Sequence, residues 1–154
     1  MKKSDYTRLT RECRFEEFKP AFFEYLQKYI QNNGLKEYKM EALACFETTN
    51  HKKGFLGKVK TSYTEICITE RFLFWATIDE KKETGMAAAQ WNEISGIREW
   101  EDTEMGKLFE ETGLELFGFT YKSSKRGSWF IGIENNEAGR KCKELMKSMT
   151  LSIK

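Results

Sequence analysis

The spacing of apolar residues changes twice along the chain, and the changes divide it into a helical start, a β-rich middle and a helical end. Phe15, Phe18, Phe22, Leu26 and Tyr29 recur at steps of three and four, and Phe23 and Ile30 widen the stripe. That period predicts an amphipathic helix over residues 15–31. Pro20 belongs in its first turn or bends it, because proline lacks the amide a helix interior needs. Asn32-Asn33-Gly34 supplies the stop, since Asn and Gly tolerate the left-handed conformation at a helix C-terminus.

From about Met40 short β-type runs follow, divided by polar or glycine-containing turns. Strands are expected near 41–48, 64–69, 72–78, 85–91, 94–101, 114–121 and 128–134. Apolar residues in these runs often alternate with small or polar ones, so one face is buried and the other partly wet. Such a succession predicts antiparallel meanders in a barrel or a two-sheet sandwich. From Asn135 the helical period returns: Ala138, Cys142, Leu145 and Met149 share one face, with Met146 beside them. Asn135 or Asn136 can cap the start, Glu137 lies in the first turn and Lys143 and Lys147 come later, an order that suits the helix dipole. Gly139 is expected to weaken this helix by roughly 1 kcal/mol relative to Ala.

One stretch, Thr69-Glu-Arg-Phe-Leu-Phe-Trp-Ala-Thr77, places four large apolar residues in a row. Thr69 ends one strand, Glu70 and Arg71 turn, and alternation sends Phe72 and Phe74 to one face and Leu73 and Trp75 to the other. One pair lines the core. The other needs a cover, and the N-terminal helix or a partner is the economical choice.

Three segments carry a family resemblance. EICITERFLFW resembles the hairpin of pleckstrin-homology and GRAM-type domains, WNEISGI resembles the stretch before their second sheet, and GSWFIGIENNEAGRKCKELM resembles their last strand and closing helix. The resemblance spans roughly residues 40–150. It implies an α+β, pleckstrin-homology-like fold: a seven-stranded, antiparallel, partly open barrel closed by a C-terminal helix. Residues 1–39 then form an added N-terminal helical extension and 40–154 the domain itself. A cone-shaped curved sheet resembling nuclear transport factor is the alternative fold, against which the closing helix argues.

Composition narrows the partners. The 154 residues carry 26 basic and 24 acidic side chains, a formal charge of only +2, so a nucleic-acid partner is not expected. Local patches must carry any electrostatic role. Residues 50–63 hold Lys52, Lys53, Lys58 and Lys60 and no acidic side chain. The resemblance puts this stretch in the loop between the first two strands, where lipid-binding relatives use basic residues against inositol phosphates. Arg71, Lys122, Lys125 and Arg126 extend the patch if the hairpin turns gather at one end. Phe55 and Leu56, between glycines, either enter a lipid interface or anchor the loop on the core. Opposite in sign, residues 99–111 contain six acidic residues and one lysine and are expected to form a solvated loop, with protein contact as a second role.

No residue pattern points to catalysis. His51 is the only histidine, in a lysine-rich setting with no orienting carboxylate nearby in sequence. Cys13, Cys45, Cys67 and Cys142 are scattered without zinc spacing and are expected to be free thiols in a reducing compartment. No metal, cofactor or phosphate-cradling loop is expected. The segment MKKSDYTRLTREC has no apolar stretch of a secretory leader, and the longest apolar run is far short of the roughly 20 residues that span a bilayer. The expectation is a noncatalytic, cytoplasmic binding module. Its first expected role is protein interaction or self-association, then anionic-lipid or phosphoinositide binding through residues 52–60, then small-ligand or enzymatic use of a curved sheet.

Overall fold

The computed structural model describes residues 5–79, 81 and 85–151. The outer ends of the two expected divisions, residues 1–4 and 152–154, lie outside the described residues. The chain is α+β, with two antiparallel sheets and a C-terminal helix, and the sheets do not close into a barrel. Strands β1 (Tyr6–Cys13), β2 (Ala42–Lys53), β3 (Val59–Thr69), β4 (Phe72–Ile78) and β5 (Met86–Gln90) form a five-stranded sheet in sequential order. Strands β6 (Ile94–Glu99), β7 (Gly113–Gly118) and β8 (Gly127–Gly132) form a three-stranded sheet.

Every expected strand is present, and β1 is an addition that the apolar pattern did not give. Its residues alternate between exposed and partly buried with only Thr10 fully buried, so no period-two apolar signal marks it. The N-terminal segment therefore contributes a strand as well as a helix. Helix α1 (Pro20–Asn32) begins with Pro20 in its first turn, after a short 3-10 turn at Phe15–Glu17. Its end follows the expected Asn-Asn-Gly stop: the Asn33 amide donates to the Tyr29 carbonyl, and Gly34 has φ +66°.

The five-stranded sheet has two different faces. On the outer face Phe72 and Phe74 pack with Phe18, Phe22 and Leu26 of the N-terminal segment, and the Tyr29 ring meets Phe74 edge-on at 6.1 Å. On the inner face Leu73 and Trp75 join Phe46, Ile66, Leu114, Leu116 and Ile131 in the core between the sheets. Alternation thus splits the four-residue apolar run as its sequence predicts, and α1 is the cover. Burying large aromatic side chains on both sides of β4 makes it the centre of the molecule.

Helix α3 (Glu137–Leu151) closes the inner core with Cys142 and Met146, while Leu145 and Met149 pack at its margin. Asn136 does two jobs at its start. Its Oδ1 accepts from the Gly139 amide at 2.8 Å, and its Nδ2 donates to the Thr10 carbonyl of β1 at 2.8 Å. The expected penalty at Gly139 is outweighed by packing: a Cβ there would lie 1.7 Å from the Glu134 carbonyl oxygen. Alanine would gain helix propensity of about 1 kcal/mol and lose the close approach of helix to strand end.

Register explains the inner face beyond the core. Phe46, Ile66 and Trp75 stand opposite one another across β2, β3 and β4. One step further along the strands comes a row of Thr10, Thr48, Thr64 and Thr77. The next is Arg8, Asn50 and Ser62, and the last is Tyr6, Lys52 and Lys60. The face passes from apolar to hydroxyl-rich to basic within three steps.

Candidate functional site

The β2–β3 hairpin is much longer than the apolar pattern indicates, because its outer half is polar. Pairing continues to Lys52 opposite Lys60 and Lys53 opposite Val59. The Gly54 amide donates to the Lys58 carbonyl at 2.6 Å and closes the tip, a 3-10 turn at Phe55–Gly57. Leu56 and Gly57 both have positive φ, +62° and +74°. For leucine that conformation costs about 1–2 kcal/mol, so the tip carries local strain. Phe55 is 88% exposed and Leu56 84%. They do not anchor the tip on the core.

All four expected lysines of the hairpin surround this tip and are exposed. Lys52 lies over the Tyr6 ring, with its Nζ 5.6 Å from the centroid. Lys52 and Lys60 also border a recess of about 360 Å3 that includes Tyr6, Asp79 and Lys81. His51 sits on the neighbouring position, exposed, with its Nδ1 3.0 Å from the Thr61 hydroxyl.

The other expected basic residues are not part of this cluster. Arg71 turns between β3 and β4, at the opposite end of β3, and the 11 residues of that strand span roughly 30 Å. Its Nε donates to Gln90 at 2.8 Å, and its guanidinium lies 4.7 Å from the Phe72 ring centroid and 5.7 Å from that of Tyr121. Lys122 reaches the same Tyr121 ring at 5.6 Å. Lys125 and Arg126 lie in the same β7–β8 connection, with Arg126 over Phe119 at 5.6 Å. Tyr121 donates its amide to Ala88, which fixes that connection against β5 at the Arg71 end. The hairpin turns therefore form two separate basic regions, one at each end of the sheet.

The acidic segment is structured. Trp100–Asp102 makes a 3-10 turn, and Glu104–Leu108 is a short helix, α2, whose cap Thr103 accepts from the Gly106 amide at 2.8 Å. Glu99 receives Lys143 at 2.7 Å and Lys147 at 2.9 Å, which ties α3 to the small sheet. Burial raises the Glu99 pKa, but hydrogen bonds and charge from those lysines outweigh it and hold the carboxyl below its ordinary range. Glu111 pairs with Arg8. Two acidic residues thus serve internal pairs, while Met105 and Leu108 beside them are 51% and 60% exposed.

A second carboxyl environment lies under α1. Glu47 and Glu65 are cross-strand partners on the outer face and both are buried. Burial pushes Glu65 up to about 8, and the neighbouring Glu47 adds to the shift, against the amide of Lys19, which donates to Glu65 at 3.0 Å. Glu47 is held by Arg11 at 3.1 Å and Lys19 at 3.7 Å. The four cysteines are free, and three of them are buried. Burial pushes the Cys13 thiol up to about 12 and Cys142 higher still, so both resist forming the nucleophilic thiolate. Among the described residues no group of three or more His, Cys, Asp or Glu side chains is placed to hold a metal ion, and no helix is long and apolar enough to cross a membrane.

Sequence reasoning missed Arg8, Asn50 and Thr77, which line the polar end of the inner face. Each is an ordinary surface-type residue in sequence, and only the strand register gathers them. Searches of family models, curated proteins and solved structures return no match to this chain.

Proposed function

We propose that this chain is a noncatalytic, pleckstrin-homology-like binding module that docks reversibly on anionic membrane surfaces through the β2–β3 hairpin. The observation that carries the proposal is the tip itself: Phe55 and Leu56 fully presented to solvent, ringed by Lys52, Lys53, Lys58 and Lys60, with no acidic residue from 50 to 63. Peripheral membrane binding usually requires two signals, an apolar insertion and basic charge. This hairpin holds both, and each lysine near an anionic surface contributes about 1 kcal/mol. In the pleckstrin-homology-like reading, β2–β5 are the first four of the seven strands, β6–β8 the rest and α3 the closing helix, while β1 is an added edge strand and α1 an added helix that covers the outer face.

The test is flotation with vesicles of neutral and of anionic lipid. Binding is expected only with anionic lipid, declining as salt rises, and Lys52, Lys53, Lys58 and Lys60 changed together to Glu should abolish it. Equal binding to neutral vesicles, or binding unaltered by the charge reversal, would overturn the proposal. Protein interaction or self-association keeps one specific support, the exposed Met105 and Leu108 beside Phe109 and Phe130. Sheet-edge pairing is the weaker route for it, since Glu134 and Asn136 occupy the Thr10 backbone of β1 and Tyr121 occupies Ala88 of β5. Light scattering across concentration distinguishes this reading: a monomer at all concentrations removes self-association.

A further inference from the structure

We infer that the chain pairs with a second copy of itself, the hairpin tip of each copy seated on the acidic, apolar segment 100–110 of the other. Self-docking does not depend on membrane binding. Competition between the two for the tip does rest on the membrane reading.

Helix α2 is built inside out. Its cap Thr103 and its Gly106 are buried, while Met105, Leu108 and then Phe109 face solvent. The segment is nevertheless held in place. The Thr103 hydroxyl donates to the Trp100 carbonyl at 2.6 Å, and the Trp100 indole donates to the Phe109 carbonyl at 3.1 Å. A Cβ at Gly106 would come within 1.8 Å of the Trp100 carbonyl oxygen, so the helix sits hard against the turn before it. Polar contacts behind the apolar side chains thus hold them outward. With the exposed Phe130 they form a patch, and an apolar patch rimmed by charge marks a protein contact. The rim is Glu101, Asp102, Glu104 and Glu110, all exposed and in no ion pair among the described residues.

The complement of this patch stands on the same chain. The tip presents Phe55 and Leu56, with Val59 also exposed, and Lys52, Lys53, Lys58 and Lys60 form no ion pair among the described residues either. Four lysines around one apolar surface match four carboxylates around the other, and those carboxylates disfavour an anionic membrane as the patch's occupant. The tip cannot fold back on its own patch, because the β2–β3 ladder runs without a break from Ala44 to Lys53 and holds it outward. A second copy can reach. Phe109 and Phe130 border the same groove as Asn50, four residues or about 13 Å behind Gly54. Two hairpins passing in opposite directions bring each tip to the other copy's patch, a two-fold arrangement in which both contacts form at once. One tip on one patch is small beside the roughly 1,600 Å2 of a standard interface, and the reciprocal contact doubles it.

The experiment is sedimentation velocity of the full chain across concentration and salt. A monomer–dimer equilibrium is expected in the micromolar range, weakening as salt rises. Lys52, Lys53, Lys58 and Lys60 changed together to Glu, or Glu101, Asp102, Glu104 and Glu110 changed together to Lys, should each raise the dissociation constant about a hundredfold or more, because like charges then meet. Leu108→Ser, expected to weaken the dimer about tenfold, is the second variant should the patch reversal not fold. Mixed in equal amounts, the two charge-reversed chains should form a heterodimer, since each reversed surface then fits the other. Phe55→Ser with Leu56→Ser added to both members should abolish that pairing, whereas mere attraction between oppositely charged chains would survive it. The inference is overturned if the parent is monomeric up to millimolar concentration, if its dimer is unaltered by the reversals, or if the mixture stays monomeric or still pairs without Phe55 and Leu56. Vesicle flotation is read separately: a dimer that binds no vesicles overturns the membrane reading alone, and a vesicle-binding chain that never dimerises overturns this inference alone.

Discussion

The two faces of the five-stranded sheet use the same strands for different ends. On the outer face, α1 and the aromatic cluster of Phe18, Phe22, Phe72 and Phe74 leave the middle of the sheet fully covered. Two carboxyls, Glu47 and Glu65, are buried beside it. On the inner face the apolar core under α3 and the small sheet ends at Trp75 and Phe46, and beyond them the rows turn to threonine, still buried at Thr10, Thr48 and Thr64, then asparagine and arginine, then exposed lysine. One face is closed by its own chain; the other runs out past its cover into a hairpin with an apolar, basic tip. Under the proposed membrane docking, stability and binding fall to different positions on the same strands, often to adjacent residues.

The largest expected effect breaks the closed face. Phe74→Ala removes a fully buried ring from under α1 and should lower unfolding free energy by about 3–5 kcal/mol in urea titrations. A loss below about 1 kcal/mol would mean that α1 does not seal this face.

Next comes the pH dependence of that face. Glu65 keeps its proton in the folded chain up to about 8, whereas the unfolded chain releases it near the ordinary 4.5. Between those values the folded state binds more protons, so this group's contribution is complete below 4.5 and is lost as pH rises towards 8. Glu99 on the small sheet has the opposite sign: its lowered pKa makes its contribution present above the ordinary value and lost in acid. Thermal melts from pH 5 to 8 should show the wild type losing more Tm than Glu65→Gln. Identical slopes would contradict a protonated Glu65 under α1.

The smallest stability effect belongs to the hairpin. Phe55→Ser with Leu56→Ser should change unfolding free energy by no more than about 0.5 kcal/mol, because neither side chain is buried. The strained Leu56 backbone makes a slight gain with Leu56→Gly the corresponding check. A large loss from the double variant would place the tip on the structural side of the comparison.

The same division explains what the sequence made legible. Helices α1 and α3 were readable because apolar residues recur at helical steps from Phe22 to Tyr29 and from Ala138 to Met149, but the expected start at residue 15 was too early: Phe15 stands in a 3-10 turn, Phe18 is extended, and α1 begins only at Pro20. The turn at Glu70 and Arg71 and the split of Phe72 to Trp75 followed from alternation alone. Strand β1 and the outer halves of β2 and β3 were not readable, since Thr, Asn, Ser, Arg and Lys occupy both of their faces. The four lysines of the hairpin were legible as a charge run, but their separation from Arg71 and Lys122 was not, because it depends on which end of β3 each turn occupies. Arg8, Asn50 and Thr77 come from three strands and meet only through register. The helix forms despite Gly139, as expected, but the packing reason for that glycine was not readable: helix propensity is local, whereas the contact with Glu134 is set by how strand and helix meet.

The most direct test of the account is a tryptophan placed at the tip. In Leu56→Trp, the emission difference from the parent chain should shift to the blue on adding anionic vesicles and stay unchanged with neutral ones, because an indole entering the interface leaves water. Vesicle binding without any shift would contradict insertion of the hairpin tip, and with it the central claim that the open end of the sheet is the membrane-docking end.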